Sequence, residues 1–342
     1  MKKLLFISSL LTYSYSQDNL ISDGPYIFID NGNLIEKEII DNQVFIKTLK
    51  PSQFDTLFYP SKSIYKNVSK IAALSDIHGQ YDLFITLLMN NKIIDKNLNW
   101  IFGKGHLVIN GDIFDRGDQV NETLWFVYKL ELQAIKNGGM VHFLLGNHEY
   151  MVLYDDLRYV NPKYKLSADL LDLDYDMLYS NKTVLGRWLR SKSTIIKINN
   201  VLFTHGGISK EFVSKVGYDI EAINNTMRIS IPKLKNLRKL RKSKESNEFY
   251  DLYFGSQSLI WYRGFFKNDF TSSELEDVLN LFDAEHIAVG HSTQKKIVQL
   301  HENRIFGIDT GIKKGKSGEV LLIEGDRFYG GSINGQLREL NQ

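Results

Sequence analysis

Six residues that can bind a cation recur at one kind of position in this chain. Asp76 and His78 follow the apolar run 71–74, Asp112 follows 107–109, Asn147 follows 141–145, His205 follows 201–203 and His291 follows 287–289. Taken alone, Asp76-x-His78 is a weak signal; the recurrence is what carries weight. The donors are nitrogen and oxygen only, because the chain has no cysteine. Such a set suits Mn, Fe or Zn, whereas Mg favours mostly oxygen ligands. Six ligands exceed what one catalytic ion takes while leaving a position open for water. The economical arrangement is two ions about 3.5–4 Å apart that share one carboxylate. Two cations so placed lower the pKa of a shared water toward neutrality, and the hydroxide formed can attack phosphorus in line with a leaving group. No covalent enzyme intermediate is required.

Something must deliver these side chains to one place. From residue 71 onward, short apolar runs alternate with longer helical patterns, which predicts an α/β architecture. In open α/β sheets, ligands sit just beyond the carboxyl ends of strands. A strand that serves only the core has no need of Asp, Asn or His at that same end. The adjoining glycines let the chain turn sharply and bring backbone close to a bound group. Before residue 71, the β-like runs 26–29 and 43–47, with a turn at Asn31-Gly32-Asn33, predict a β-rich extension over 17–70. The chain's 342 residues are 43% hydrophobic and 24% charged, the balance of a soluble globular protein. Lys plus Arg is 42 against 40 for Asp plus Glu, too even for a dedicated nucleic-acid binder. Without cysteine, disulfides, thiolate metal sites and cysteine nucleophiles are excluded.

The segments Ser75-Asp76-Ile77-His78-Gly79-Gln80, Gly111-Asp112-Ile113-Phe114-Asp115-Arg116-Gly117, Gly146-Asn147-His148-Glu149 and His205-Gly206-Gly207 occur in that order. They resemble the signatures of the calcineurin-like metallophosphoesterases, and within that superfamily the phosphoprotein-phosphatase type. The stretch from Asn99-Trp100-Ile101 to Asn147, with Gly138-Gly139 before the third strand, is similar to the Shewanella-like, bacterial branch. Any one motif is weak, but the ordered set spans roughly residues 71–310. The resemblance implies a β-sandwich flanked by helices, in four layers α/β/β/α, with metals at the carboxyl ends of strands and helical cap insertions. It implies that Asp76, His78 and Asp112 hold one metal and that Asp112, Asn147, His205 and His291 hold a second, with Asp112 bridging. His148 would protonate the leaving oxygen, Asp115 would orient it, Arg116 would bind phosphate, and Arg263 would be the second phosphate arginine. The implied activity is hydrolysis of phosphomonoesters, with phosphoprotein substrates modified on Tyr or Ser/Thr. Two departures stand out. Ser75 occupies a position where protein phosphatases commonly have glycine, outside the metal shell. Thr293 stands where many phosphodiesterases of the superfamily carry a second histidine, which favours the phosphatase type. The same metal centre would also suit a nucleotide or phosphodiester hydrolase. A catalytically inactive binding protein on this fold is a third reading, against which the intact ligand set argues.

The first residues have the anatomy of a secretory signal peptide: Lys2 and Lys3, the apolar run 4–11, then Ser14 and Ser16 before a cut after Ser16. That cut would remove two basic residues and no acid, leaving the charges even. The run is too short to span a bilayer, which takes about 20 residues. The expectation is an exported protein, periplasmic or secreted, monomeric and without a membrane span. The catalytic domain is expected over 71–342, with cap insertions at about 150–190 and 209–258. Lys233, Lys235, Arg238, Lys239, Arg241, Lys242 and Lys244 overlie Leu234, Leu237 and Leu240, and read as a solvated amphipathic helix after Pro232 rather than a site for an acidic surface. His106, His142 and His286 read as core or edge histidines, Glu149 as a hydrogen-bond acceptor behind the ligands, and Tyr262 as packing.

Overall fold

β1 (Asp23–Asp30), β2 (Asn33–Ile40) and β3 (Gln43–Leu49) form an antiparallel meander. Its two-residue turns, Asn31-Gly32 and Asp41-Asn42, have positive φ at both positions, which matches the twist of the flanking strands. The sequence-based expectation lacks β2, because its charged centre, Glu36-Lys37-Glu38, masks the buried Leu34 and Ile39. The computed structural model describes residues 20–242, 247–267 and 269–340. The expected signal peptide and Lys244 lie outside those residues.

The remaining strands are β4 (Ile64–Tyr65), β5 (Lys70–Leu74), β6 (His106–Ile109), β7 (Met140–Phe143), β8 (Ile195–Ile198), β9 (Val201–Thr204) and β10 (His286–Val289), followed by β11 (Val298–Leu300), β12 (Ile305–Gly307), β13 (Glu319–Glu324), β14 (Arg327–Ser332) and β15 (Leu337–Leu340). They build two six-stranded sheets, ordered β15-β14-β13-β5-β6-β7 and β11-β12-β10-β9-β8-β4. β5, β6 and β7 run parallel, with Leu107 opposite both Ala72 and Val141. β9 and β10 also run parallel, with Leu202 opposite Ile287.

Side chains alternate along a strand, and the alternation sorts them into two layers. Ile71, Ala73 and Val108 share the core between the sheets with Phe203, Ala288 and Phe306. Ala72, Leu74, Leu107 and Ile109 join the outer core beneath α1 (Tyr81–Asn90) and α2 (Val120–Lys136). Full burial of each large aliphatic contributes about 1.5–3 kcal/mol. The second sheet is covered by the helices Ile220–Ser230 and Ser272–Leu281, completing the α/β/β/α sandwich.

The insertions are helical, and much of them covers the sheets. Asn224, on Ile220–Ser230, donates to the Ile195 carbonyl (2.7 Å) and accepts from the Thr194 N–H (2.8 Å). Trp188 packs on Phe143 at 5.6 Å between ring centroids. In the basic helix Leu234–Lys242, Leu234 is buried and Lys235 pairs with Asp155 and Asp176. In the first insertion, Tyr159 lies against His148 at 5.3 Å between ring centroids, and its carbonyl accepts the Arg116 N–H. Buried Asp23 ties the N-terminal meander to the rest, accepting from Asn121 of α2 and from Ser167. Among the described residues no helix is long and apolar enough to cross a membrane.

His106 and His142 meet across β6 and β7, Nδ1 to Nε2 at 2.9 Å, against the Tyr65 ring. Burial pushes His106 down to about 4; burial, then the charges of His106 and Lys192, holds His142 well below 6.5. Both are neutral when folded and take up a proton on unfolding below about pH 6.5. Their contribution is therefore full above that pH and lost on acidification, at up to about 1.4 kcal/mol per pH unit for each histidine. We expect His142→Gln to lose less stability than the parent between about pH 7 and pH 5 in urea melts with chelator present. Equal losses would show that the pair does not set the acid sensitivity.

Candidate metal centre

The loops after β5, β6, β7, β9 and β10 open at one end of the sandwich. They bring Asp76, His78, Asp112, Asn147, His205 and His291 together, all buried. Asp112 is central. Its Oδ2 lies 3.1 Å from His205 Nε2, 3.6 Å from His78 Nε2 and 3.8 Å from His148 Nε2. His291 joins Asp112 and His205 in one compact donor group, and His78 and His148 join Asp112 in another. Asp76 Oδ1 is 3.8 Å from His78 Nε2, and Asn147 Oδ1 is 2.9 Å from His205 Nε2. Asp76, His78, Asp112, Asp115, Arg116 and His291 all have positive φ. Such backbone costs on the order of 1–3 kcal/mol per residue and gathers at functional sites.

The donors fit a cation. Among the described residues, Nε2 of His78 and Nε2 of His291 are buried without a hydrogen-bond partner. The Nδ1 atoms of His78 and His205 face the carbonyls of Phe114 (2.6 Å) and Asn110 (2.8 Å). A carbonyl accepts from Nδ1–H, which leaves the Nε2 lone pair pointing inward, the tautomer a metal requires. Burial pushes His78 down to about 3 and His291 well below its ordinary value, so both are neutral. Burial opposes ionisation of Asp112, yet His205, His148 and His78 hold it well below the usual carboxylate range. Burial also opposes charge on His205, but Asp112 raises it to about 9. A bound cation would take the place of that proton.

His148 differs from the other imidazoles. Its Nδ1 bonds to the Asp115 carboxylate rather than to a carbonyl. Burial works against its charged form, but Asp112 and Asp115 outweigh burial and raise its pKa. Burial raises Asp115 as well, against the pull of His148. Arg116 and Arg263 stand at the rim. The Arg116 main chain donates to Tyr159 (2.9 Å), and Arg263 Nη1 donates to the His291 carbonyl (2.6 Å).

The sequence reading assigns no contact to several supporting residues. Asn110 donates from Nδ2 to Thr204 (3.0 Å) and Ala288 (3.2 Å), clamping the first sheet to the second at the ligand end. Ser75 Oγ lies 2.7 Å from Asp76 Oδ2, outside the donor set but bonded to it. Thr293 donates to Asp309 (2.7 Å), and Lys313 reaches both Asp309 (2.9 Å) and Asp76 (3.5 Å). Glu149, by contrast, is the expected acceptor. Its carboxylate takes the N–H groups of Gly146 (2.7 Å), Asp112 (2.8 Å) and Ile113 (2.8 Å). Burial and then Asp112 push it up to about 7, while those N–H groups pull it back.

A donor set of this geometry at the carboxyl ends of two packed sheets defines a class, and comparison places the chain within it. The chain belongs to the calcineurin-like phosphoesterase family, whose model matches residues 69–295. It is a metal-dependent phosphatase of the Shewanella-like, phosphoprotein-phosphatase type. Shewanella-like protein phosphatase 1 of Plasmodium berghei is 32% identical over 270 residues, covering 76% of this chain and 72% of that one. Shewanella-like protein phosphatase 2 of Arabidopsis thaliana is 24% identical, covering 77% of each. The crystal structure of a cold-active protein-tyrosine phosphatase from a psychrophilic Shewanella superposes with a TM-score of 0.87 at 41% identity, covering 94% of this chain and all of that one.

Gly146 marks how tightly the centre is built. A Cβ there would lie 2.4 Å from Asp112 Oδ1 and 2.9 Å from the Asp112 nitrogen. We expect Gly146→Ala to fold but to lose about tenfold or more in Mn²⁺ affinity, the scale for disturbing a ligand's support. Competition with a fluorescent chelator measures this, and parent-like affinity would show that Asp112 does not need the glycine.

Proposed function

We propose that this phosphatase acts on phosphomonoesters in proteins, phosphotyrosine foremost, with two ions (Mn, Fe or Zn) per chain. Asp76, His78 and Asp112 would hold one ion; Asp112, Asn147, His205 and His291 would hold the other. The observation that carries the reading is the His148–Asp115 pair, its Nε2 3.8 Å from the Asp112 oxygen that His205 and His78 also approach. The name of the Shewanella neighbour, a protein-tyrosine phosphatase at 41% identity, supports the choice of phosphotyrosine. Thr293 supports a monoester over a diester, because its hydroxyl is committed to Asp309 and is not directed at the ligands.

Cations bound there supply Lewis acidity, acidifying a water toward neutral pKa and offsetting phosphoryl charge. The protein does the rest. Arg116 and Arg263 present planar guanidinium forks that bind phosphoryl oxygens and neutralise charge that builds on them. His148 carries a proton on Nε2 and gives it to the leaving oxygen. Asp115 holds the opposite nitrogen, fixes the ring and favours its charged form, so the proton is present near neutral pH. We further propose that the chain is exported after cleavage behind Ser16, on the strength of the basic tip, the short apolar run and the small residues before the cut. N-terminal sequencing of exported protein checks this; an intact Met1 would reject it.

Two experiments test the chemistry. The parent is expected to turn over 4-nitrophenyl phosphate in preference to its bis ester, with Mn²⁺ and not with chelator. Turnover of neither, with metal bound, would overturn the assignment. His148→Asn is expected to keep its metal by elemental analysis while kcat falls about 10²–10⁴-fold, the usual worth of a general acid. Normal turnover would remove His148 from that role, whereas Asp112→Asn should lose both ions.

A further inference from the structure

An exposed tyrosine sits beside the His148–Asp115 pair, where the core does not need it. Tyr159 is 42% exposed, yet its ring lies 5.3 Å from the His148 ring. The Arg116 guanidinium stands 5.3 Å from the centre of the same ring, and that of Arg158 stands 5.5 Å away. These separations are those of aromatic and cation–π contacts. The backbone around Tyr159 is pinned. Its carbonyl accepts the Arg116 N–H (2.9 Å), and Asn161 Nδ2 donates to the Arg116 carbonyl (2.8 Å). Arg158 is held on buried Asp156 by three contacts, Nε to Oδ1 and Nη2 to Oδ2 at 2.8 Å each and Nε to Oδ2 at 3.1 Å. The segment is thus fixed on both sides of an arginine assigned to phosphate. Arg158 and Asp156 also line a cleft of about 960 Å³, together with Trp261, Arg263 and Lys267.

We propose that Tyr159 determines specificity by stacking on the leaving group of an aryl phosphate, a phosphotyrosine side chain. This rests on the phosphomonoesterase reading above. The group that gives up its proton and the ring that stacks are neighbours, so the leaving oxygen at His148 brings its attached carbon atoms next to Tyr159. In phosphotyrosine those atoms are a flat ring bonded directly to that oxygen, and Tyr159, 42% exposed, is the aromatic ring beside it. In phosphoserine a single methylene leads back to the peptide backbone, and nothing flat reaches the tyrosine. Arg158, seated on the same ring, adds positive charge toward the cleft through which the flanking peptide would run.

The test compares the metal-loaded parent with Tyr159→Phe, Tyr159→Leu and Tyr159→Ala. The substrates are two peptides of one sequence, one with phosphotyrosine and one with phosphoserine. Tyr159→Leu and Tyr159→Ala are expected to raise KM for the phosphotyrosine peptide about fivefold, the range of one aromatic contact. KM for the phosphoserine peptide should stay put, and Tyr159→Phe should behave as the parent. Parallel losses on both peptides would mean that the ring only supports His148 or Arg116, and would overturn the proposal. So would an unchanged ratio of the two KM values. A parent that hydrolyses neither peptide would sink the phosphoprotein reading and this inference with it. A parent that hydrolyses phosphotyrosine, with a ratio unmoved by Tyr159→Leu, would sink this inference alone.

Discussion

Asp112 brings a carboxylate out of water into a space where His205, His148 and His78 converge on one oxygen and the His148 N–H binds the other. A buried carboxylate without such company would be forced to protonate. Here the imidazoles outweigh burial and keep it ionised. A second buried carboxylate, Glu149, stands directly behind it and would repel it. The backbone N–H groups of Gly146, Asp112 and Ile113 take up much of that charge. The same N–H groups belong to the turns that present Asp112 and open α3 (Asn147–Leu153). Charge placement and chain direction are thus solved by one set of bonds.

That solution needs both sheets. β5, β6 and β7 bring Asp76, Asp112 and Asn147; β9 and β10 bring His205 and His291. The donor group of Asp112, His205 and His291 draws on both sheets, so its geometry depends on the spacing between them. Asn110 does this from the middle. Its amide donates to Thr204 and Ala288 across the gap, and its carbonyl takes His205 Nδ1. The ligand tautomer and the inter-sheet distance therefore depend on the same residue. Gly111, next in the chain, lies at φ +87, where a Cβ would stand 2.6 Å from His205 Nδ1. No side chain larger than hydrogen can sit there without moving the histidine.

Much of this was legible in the sequence, for a physical reason. A strand buried on both faces is a short apolar run, and a ligand at its end is a break in that run of a distinctive type. Five such breaks in order were enough to place the donors and the architecture. What stayed hidden depends on contacts between distant segments. β2 was masked by its surface charges. The pairing of β13 with β5 joins residues that nothing local connects. Asn110 drew no role from the sequence, because the carbonyls it binds lie some 90 to 180 residues away. Ser75 read as a neutral replacement for glycine, yet its hydroxyl meets Asp76. Tyr159 carried no motif at all. Its place beside His148 follows from how the segment 155–161 is stitched to Arg116, which no spacing rule encodes.

His78 and His148 show how finely the fold divides one chemistry between like groups. Their rings lie 4.6 Å apart, both are buried, and each approaches the same oxygen of Asp112. Burial and that oxygen are common to both, yet one is held down to about 3 and the other is raised. The charges of His148 and Arg116 disfavour a proton on His78, and a further difference lies at Nδ1. A carbonyl, that of Phe114, fixes the tautomer of His78 but carries no charge, so burial wins and the ring stays neutral with its lone pair free for a metal. A carboxylate, that of Asp115, fixes His148 and also stabilises its charge, so the proton wins. The two imidazoles are thereby set apart by the atom on the far side of the ring, supplied by neighbouring residues of one loop: Phe114 for the one, Asp115 for the other, and both on the strand end that carries Asp112.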